Sequence, residues 1–223
     1  LPEVETLVKQ LTPLLNKATI LHAKYFRPDL RYPIPIKEIK SCILNHPITA
    51  ISRRSKYILV NTSTHSMLIH LGMSGTLRYF TTATKRHLHT HVIFKVKDKN
   101  QQCFLLHYVD PRRFGFMCIS ALATLKEHPR LVHLGVEPLS HTQLGNYLWQ
   151  KSRTRSTAIK PFIMNAQIVV GVGNIYACES LFQAGIHPES NVKSLSRKQY
   201  LKLATAIRYT LKKAIQAGGT TLQ

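Results

Sequence analysis

The fold of this chain and the class of its ligand are indicated most clearly by two stretches, Asp110–Gly115 (DPRRFG) and Gly171–Ala177 (GVGNIYA). The first places two arginines and a phenylalanine after an Asp-Pro pair, which is a common turn signal. The second places a glycine-rich turn directly before an amphipathic helix. An exposed phenylalanine beside cations can enter between stacked bases, and a helix start offers free N–H groups to phosphate. Both stretches are therefore candidates for contact with a nucleic acid.

Each stretch also has a purely structural interpretation. DPRRFG can be an ordinary hairpin turn, and the glycines of GVGNIYA can serve only to let the chain turn. A dinucleotide fingerprint is a poorer match, because Tyr176 stands where a third glycine is required and no strand–helix–strand unit surrounds the motif. If the turn does bind a ligand, Asn174 adds a side-chain donor to the N–H groups of the helix start.

The charge of the chain favours a polyanionic partner. Lys and Arg number 31 against 10 Asp and Glu, which gives a net charge of +21. Basic side chains release condensed counterions from nucleic-acid phosphates, so such an excess is typical of proteins that bind DNA or RNA. A merely basic protein, or one that binds acidic membranes, remains an alternative. The 223 residues, 44% of them hydrophobic, suit one large domain or two modest ones.

Several other classes of protein are disfavoured. The sequence has no apolar stretch of the roughly 18 residues that cross a bilayer, and it does not open with a signal peptide. Its four cysteines are far apart and form no C-x-x-C pair, which predicts buried free thiols in a reducing compartment. His87, His89 and His91 alternate and would share one face of a strand, but no fourth ligand is near, so we expect a polar edge rather than a metal site.

The first half of the chain is predicted to be rich in β-structure. Apolar residues from Val4 to Leu15 follow a helical period. Short segments rich in Val, Ile, Tyr and Phe then alternate with turn residues between Thr19 and Ala121, which favours a sandwich or a barrel. The predicted strands are Ile48–Ser52, Tyr57–Asn61, Met67–His70, Gly75–Phe80, His91–Val96, Cys103–Tyr108 and Phe116–Ile119.

The second half is predicted to be a small helical domain. Ser140 with Gln143, and Ser196 with Gln199, have the spacing of capping boxes at helix starts. Gly185 is placed to end the helix that follows GVGN, and a Gly-Gly pair at 218–219 is placed to end the last helix. We place the boundary within residues 122–135, and assign 1–125 to an N-terminal domain and 126–223 to a C-terminal one.

Two further glycine-marked or basic corners accompany DPRRFG. His70–Gly75 (HLGMSG) forms a turn between strands, and its position predicts that Met73 is exposed rather than buried in the core. Arg53–Tyr57 (RRSKY) is a basic corner between two other strands. A charged corner is usually just solvated, so this segment is informative only together with the others.

These segments resemble the formamidopyrimidine-DNA glycosylase family, and they occur in the family's order along the whole chain. The matching segments are Leu1–Thr6, Arg53–Tyr57, His70–Gly75, Asp110–Gly115, Leu134–Leu139, Ala158–Pro161, Gly171–Ala177 and Gly218–Leu222. The resemblance implies an α+β fold, in which an N-terminal β-sandwich flanked by helices is joined to a C-terminal helix–two-turn–helix domain, with DNA bound in the cleft.

The resemblance implies a role in base-excision repair. Members of the family excise 8-oxoguanine and formamidopyrimidines from double-stranded DNA and then cut the strand by β,δ-elimination, so they are DNA glycosylases and AP lyases. A base inside a duplex is out of reach, and extruding it costs a few kcal/mol. We expect an intracellular protein of the bacterial type, located in the cytoplasm or nucleoid, that acts as a monomer and has no membrane partner.

The resemblance also assigns roles to individual residues. Met73, Arg112 and Phe114 match the trio that fills the gap left by the flipped base, with Arg112 facing the orphaned cytosine and Phe114 acting as the wedge. The groups that grip phosphates are matched by Lys56, His70, Arg113, Asn174 and Tyr176, and Lys56 is also implied in the lyase chemistry. Lys160 lies near the position of the damaged base, and Thr220 and Thr221 match the start of the loop that closes over it.

Two parts of the family pattern fall outside this sequence. The family's nucleophile is the amine of an amino-terminal proline followed by a catalytic glutamate, and alignment of the motifs places that pair just upstream of Leu1. The family's C-terminal zinc finger, with one structural zinc held by four cysteines, would follow Gln223. We therefore expect this sequence to be part of a longer protein, with no metal in this chain. Smaller departures are Ser55, Thr90 and Val136, where the family usually has glycine, aspartate and proline.

Two other functions remain open at this point. A damaged-DNA-binding module would recognise kinked or abasic DNA without cutting it. A relative of endonuclease VIII would prefer oxidised pyrimidines, but those proteins usually lack the Met73, Arg112 and Phe114 trio, which favours the purine-repair branch.

Overall fold

The chain is described by a computed structural model that covers residues 1–82 and 84–218. The chain divides into two compact units. One unit is Leu7–His128, and the other combines Leu1–Thr6 with the described residues from Pro129 onwards. The sequence pattern predicts a single domain over residues 1–125, whereas the structure groups the first six residues with the helical half.

The unit Leu7–His128 contains two four-stranded antiparallel sheets, whereas the segment pattern left a sandwich or a barrel open. One sheet has the order β1-β6-β7-β5 and the other has the order β2-β3-β4-β8. The strands are β1 (Thr19–Tyr25), β2 (Ala50–Arg54), β3 (Tyr57–Asn61), β4 (His65–His70), β5 (Thr76–Phe80), β6 (Thr90–Lys97), β7 (Cys103–Val109) and β8 (Phe116–Ala121). Helix α1 (Pro2–Leu15) precedes them, and α2 (Ile36–Cys42) lies between β1 and β2.

The register of the second sheet determines which side chains share one end of it. Arg54 pairs with Tyr57, Tyr57 with His70, and His70 with Phe116. In an antiparallel sheet, residues in register stand side by side across neighbouring strands. The RRSKY corner, the end of β4 and the start of β8 therefore lie at the same end of this sheet.

Some elements of this unit differ from the prediction. α2 has seven residues with a single buried side chain, Ile39, so it has no periodicity that the sequence analysis could find. β6 begins at Thr90, which leaves His87 and His89 before the strand. The expectation that the three histidines share one strand face was wrong.

The helical unit is built around α3 (Leu144–Ser152), α4 (Ile159–Met164), α5 (Asn174–Ala184) and α6 (Arg197–Gln216). Leu148, Phe162, Leu181 and Tyr200 meet in its buried core. Burial of side chains of this size contributes about 1.5–3 kcal/mol each, so this core accounts for much of the stability of a small unit. The structure confirms the α+β fold class with two antiparallel sheets and a helical C-terminal half.

Of the four predicted helix ends, two are confirmed in full and one was wrong. For the fourth, α6 ends at Gln216 and Gly218 follows with φ +82°, while Gly219 lies outside the described residues. Ser196 and Gln199 form a complete capping box at the start of α6, and Gly185 ends α5 in the left-handed conformation with φ +66°. The predicted box of Ser140 and Gln143 was wrong. α3 begins at Leu144, so Gln143 itself is the N-cap residue, and no side chain caps this helix.

The cysteines differ from the prediction in their exposure. The four cysteines are free, but Cys103 and Cys178 are exposed and the other two are half-buried, so the expectation that all are buried was wrong. No helix among residues 1–82 and 84–218 has the length and apolar character needed to span a membrane.

Candidate nucleic-acid interface

Two turns of the β-unit pack directly against each other. One follows β4 at Leu71–Gly75, and the other joins β7 to β8 at Asp110–Gly115. Gly72 adopts φ +67°, and a Cβ atom placed on it would lie 2.5 Å from the backbone carbon of Phe114. Real side chains do not tolerate such an approach. The turns touch because this position is glycine.

The exposed side chains on these two turns form an apolar and cationic surface. Met73 is 67% exposed and Phe114 is 42% exposed, so the prediction that Met73 points outward is confirmed. The guanidinium of Arg112 lies 4.8 Å from the centroid of the Phe114 ring. Large apolar side chains at the tip of a turn gain free energy only when a partner covers them. A thioether, a guanidinium and a phenyl ring are thus displayed together.

Arg113 and Lys56 add positive charge to the β-unit, each on a turn between two strands. Arg113 is exposed and has φ +57°, an uncommon conformation for a residue with a side chain. Lys56 is exposed at the tip of the β2–β3 turn, next to Ser55, which is buried and has φ +57°. We see no ion pair that joins Lys56, Arg112 or Arg113 to a carboxylate of the described residues.

His70 is held in a defined orientation. Its ring stacks on Phe116 with centroids 5.1 Å apart and planes 10° apart. The Gly72 N–H donates to His70 Nδ1 at 3.0 Å. Because Nδ1 accepts this hydrogen bond, the neutral ring carries its proton on Nε2. His70 can therefore offer an N–H donor to an anion without being charged.

The helical unit presents its glycine turn in a way that suits an anion. Gly173 is the N-cap of α5, and Asn174 is the first residue of the helix and is exposed. Gly171 has φ +78°, and a Cβ on it would collide with the side chain of Leu1. The backbone nitrogen of Leu1 lies 3.3 Å from the carbonyl oxygen of Gly171. The N-terminal segment thus packs against the turn that positions the helix start.

Tyr176 is used inside this unit. It is 5% exposed, and its hydroxyl donates a 2.8 Å hydrogen bond to Oε1 of Glu3. The structure therefore favours a role in holding Glu3 and the start of α5 over direct contact with a ligand, while the expected phosphate contact of Tyr176 stays a prediction. The sequence motifs did not single out Glu3. The signal that could have found it is its carboxylate, which is the third residue of the matching N-terminal segment Leu1–Thr6.

The remaining predicted residues are placed as follows. Lys160 is the second residue of α4 and is half-buried. Its backbone N–H donates to the carbonyl oxygen of Pro188 at 3.1 Å. The predicted lesion-binding residues Thr220 and Thr221 lie outside the described residues.

Asp110 is the other residue whose role the sequence analysis underestimated, because it was read only as a turn signal. It is fully buried, and its carboxylate accepts hydrogen bonds from Ser74 and Gly115. Its backbone oxygen lies 2.8 Å from Nε2 of His91. Burial lowers the pKa of His91, so this ring is neutral at physiological pH.

The described residues do not form a metal site. No group of three or more His, Cys, Asp or Glu side chains among residues 1–82 and 84–218 could hold a metal ion. The rings of His87 and His89 are 5.5 Å apart, but His91 is occupied by the backbone of Asp110. The structural zinc that the resemblance implies stays a prediction.

Two family models cover most of the chain. Residues 1–117 match the formamidopyrimidine-DNA glycosylase N-terminal domain, and residues 134–223 match the formamidopyrimidine-DNA glycosylase H2TH domain. The chain combines a β-unit that displays apolar and cationic side chains on two touching turns with a helical unit of the H2TH type. This combination defines a class of DNA-binding proteins. The chain belongs to the formamidopyrimidine-DNA glycosylase family.

Similar proteins support the same conclusion. The formamidopyrimidine-DNA glycosylase of Xylella fastidiosa is 44% identical over 224 residues, which cover 100% of this chain and 80% of the relative. That of Klebsiella pneumoniae is 44% identical over 223 residues with the same coverage. The structure of the Lactococcus lactis protein in complex with DNA containing an abasic site superposes with a TM-score of 0.89 at 29% identity, covering 100% of this chain and 80% of that one.

Proposed function

We propose that the protein containing this chain is a bifunctional DNA glycosylase and AP lyase of base-excision repair. It would excise 8-oxoguanine and formamidopyrimidines from duplex DNA and then cut the strand by β,δ-elimination. The observation that carries the proposal is the display of Met73, Arg112 and Phe114 on two touching turns in a member of this family.

The chemistry of these three side chains fits the gap left by an extruded base. A flipped base leaves an apolar, stacked vacancy with an unpaired base opposite to it. The thioether of Met73 and the ring of Phe114 can fill the stack, since both are exposed and apolar. Arg112 can donate hydrogen bonds to the orphaned base through its guanidinium. Filling the vacancy offsets part of the cost of extrusion.

Phosphate contacts would supply the rest of the binding free energy. Lys56, Arg113 and Asn174 are exposed, and His70 can donate from Nε2. Contacts of this kind position the protein on any sequence, which suits an enzyme that searches all DNA for rare lesions. Lys160, Thr220 and Thr221 would bind the damaged base, and Lys56 would assist the lyase step.

The Schiff-base step of this proposal needs a nucleophilic amine, and we assign that role to none of the described residues. By the family resemblance it would come from an amino-terminal proline preceding Leu1, and a following glutamate would serve as the acid–base group. The zinc finger would follow this sequence. With these parts, we also propose that the protein works inside the cell as a monomer on chromosomal DNA.

The proposal is tested with duplexes that carry one lesion each and a label on the damaged strand. The substrates are 8-oxoguanine opposite cytosine, a formamidopyrimidine opposite cytosine, and thymine glycol opposite adenine. Release of the free base, strand cleavage without alkali, and covalent trapping with borohydride are measured separately. The proposed activity gives all three signals with the purine lesions.

Other outcomes contradict specific parts of the proposal. Base release without strand cleavage or trapping would overturn the lyase assignment. Faster release from thymine glycol than from 8-oxoguanine would indicate an endonuclease VIII-like specificity. Tight binding to an abasic-site analogue with no base release from any lesion would identify a damage-recognition module without catalysis.

A further inference from the structure

The buried carboxylate of Asp110 is placed to connect the turns Leu71–Gly75 and Asp110–Gly115 rather than to contact DNA. It is fully buried at the end of β7. A buried carboxylate is costly unless it is hydrogen-bonded, and it would repel phosphate if it faced DNA. Its role must therefore be sought in the groups that it contacts.

The carboxylate accepts one hydrogen bond from each of the two turns. Oδ1 accepts from the hydroxyl of Ser74 at 2.6 Å, and Oδ2 accepts from the backbone N–H of Gly115 at 2.8 Å. Ser74 belongs to the turn that carries Met73, whereas Gly115 follows Phe114 directly. A single side chain thus joins the residues adjacent to both apolar members of the displayed surface.

The hydroxyl of Ser74 extends this connection to the third member. It donates to Asp110 and at the same time accepts a hydrogen bond from the backbone N–H of Arg112 at 3.2 Å. A serine hydroxyl can donate once and accept at least once, so both interactions are satisfied together. The chain of hydrogen bonds runs from Arg112 through Ser74 and Asp110 to Gly115.

We propose that Ser74 and Asp110 are positioning residues that hold Met73, Arg112 and Phe114 in one arrangement before DNA is bound. This inference rests on the proposed function for the use of that surface. The reason is entropic. Side chains at turn tips lose conformational freedom on binding, and a pre-formed hydrogen-bond chain removes part of that loss in advance.

The proposal predicts how substitutions of the pair behave. Ser74→Ala removes the donor to Oδ1 and the acceptor for Arg112. Asp110→Ala removes both acceptor oxygens, so neither the Ser74 hydroxyl nor the Gly115 N–H keeps its partner. Ser74→Thr keeps the hydroxyl and should restore the connection. Ser120→Ala is the matched control, because its half-buried hydroxyl bonds only to the neighbouring backbone oxygen of Ala121 among the described residues.

The first test needs no DNA. The chain has four methionines, and Met67 and Met117 are buried in the core of the same unit. With 13C-methyl methionine, Ser74→Ala and Asp110→Ala should sharpen and shift the NMR signal of the exposed Met73, and leave those of Met67 and Met117 in place. An unchanged Met73 signal in both variants, with unfolding midpoints near wild type, would overturn the proposal.

The second test separates binding from the step that follows it. Single-turnover excision of 8-oxoguanine should fall at least fivefold in Ser74→Ala, with affinity for an undamaged duplex within twofold of wild type and recovery in Ser74→Thr. Equal losses on both duplexes, or no recovery with threonine, would contradict a positioning role. If the wild type does not distinguish damaged from intact DNA, the proposed function fails, and the NMR result still decides whether the pair orders the turns.

Discussion

Replacing Met73 by alanine should weaken binding to damaged DNA without lowering the free energy of unfolding. Met73 is 67% exposed in the free protein, so its removal leaves no cavity, and a surface change of this kind usually alters the free energy of unfolding by less than about 0.5 kcal/mol. The same exposure means that most of its apolar surface is available for burial in a complex.

The size of the effect follows from that exposed fraction. Full burial of a methionine side chain contributes about 1.5–3 kcal/mol, and about two-thirds of this remains to be gained on binding, which is roughly 1–2 kcal/mol. Since about 1.4 kcal/mol corresponds to a factor of ten, the dissociation constant for a duplex with an abasic-site analogue should rise about 5- to 30-fold. An intact duplex, which is held through its phosphates, should bind almost as before.

Fluorescence anisotropy with the two duplexes at one fixed salt concentration measures this difference. The matched control is Phe182→Ala, which removes a larger apolar side chain that is 88% exposed on α5. If loss of exposed apolar surface acted non-specifically, this control would have the greater effect. Equal weakening of both duplexes by Met73→Ala, or an equal effect of the control, would refute the assignment of Met73 to the vacated base position.

Three further predictions follow from the geometry. Gly171→Ala should destabilise the helical unit more than Gly185→Ala, because both residues have positive φ but only the new methyl group at Gly171 meets a packed side chain. The left-handed strain common to both variants is about 1–2 kcal/mol. Urea unfolding measures the difference between them, and equal losses of stability would contradict the packing argument. His107→Leu should stabilise the protein by about 1 kcal/mol at pH 7.5, since Nε2 of His107 is buried without a partner among the described residues. Burial lowers the pKa of His107, so the unfolded chain binds the extra proton as the pH falls below about 6.5. The wild type should therefore lose stability between pH 7 and pH 5 and the variant should lose less; parallel pH profiles would contradict this. Arg112→Ala should reduce discrimination for cytosine opposite the lesion, whereas Arg113→Ala should weaken binding to all duplexes and reduce the salt dependence; identical effects on every duplex would rule out separate roles.

Regular elements with a strong repeating pattern could be read from the sequence. α1, α6 and seven strands were predicted at nearly their observed positions. The helices repeat apolar residues with the helical period, and the strands are short runs of apolar and β-branched residues between turn signals. Short elements such as α2 and α4 have too few turns to show a period. The helix start expected after Ser140 failed because the capping pattern is local, whereas the observed start at Leu144 depends on packing in the helical core.

The candidate site was predicted in its parts but not in its connections. The exposed residues Met73, Arg112 and Phe114 come from motifs whose composition is conspicuous. They are supported by the half-buried Ser74 and the buried Asp110, two common polar residues 36 positions apart. The hydrogen bond between them exists only after β4 and β7 have brought the two turns together. No local pattern reports such a contact.

Composition and short-range order were enough to predict the two halves of the chain, the basic character that suits DNA, and the motifs of the family. Three contacts became visible only in the folded chain: Gly72 brings the two turns together, Asp110 joins them, and Tyr176 donates its hydroxyl to Glu3. Such contacts link residues that are distant along the chain, and they are selected by close packing and by the cost of leaving buried polar groups unpaired.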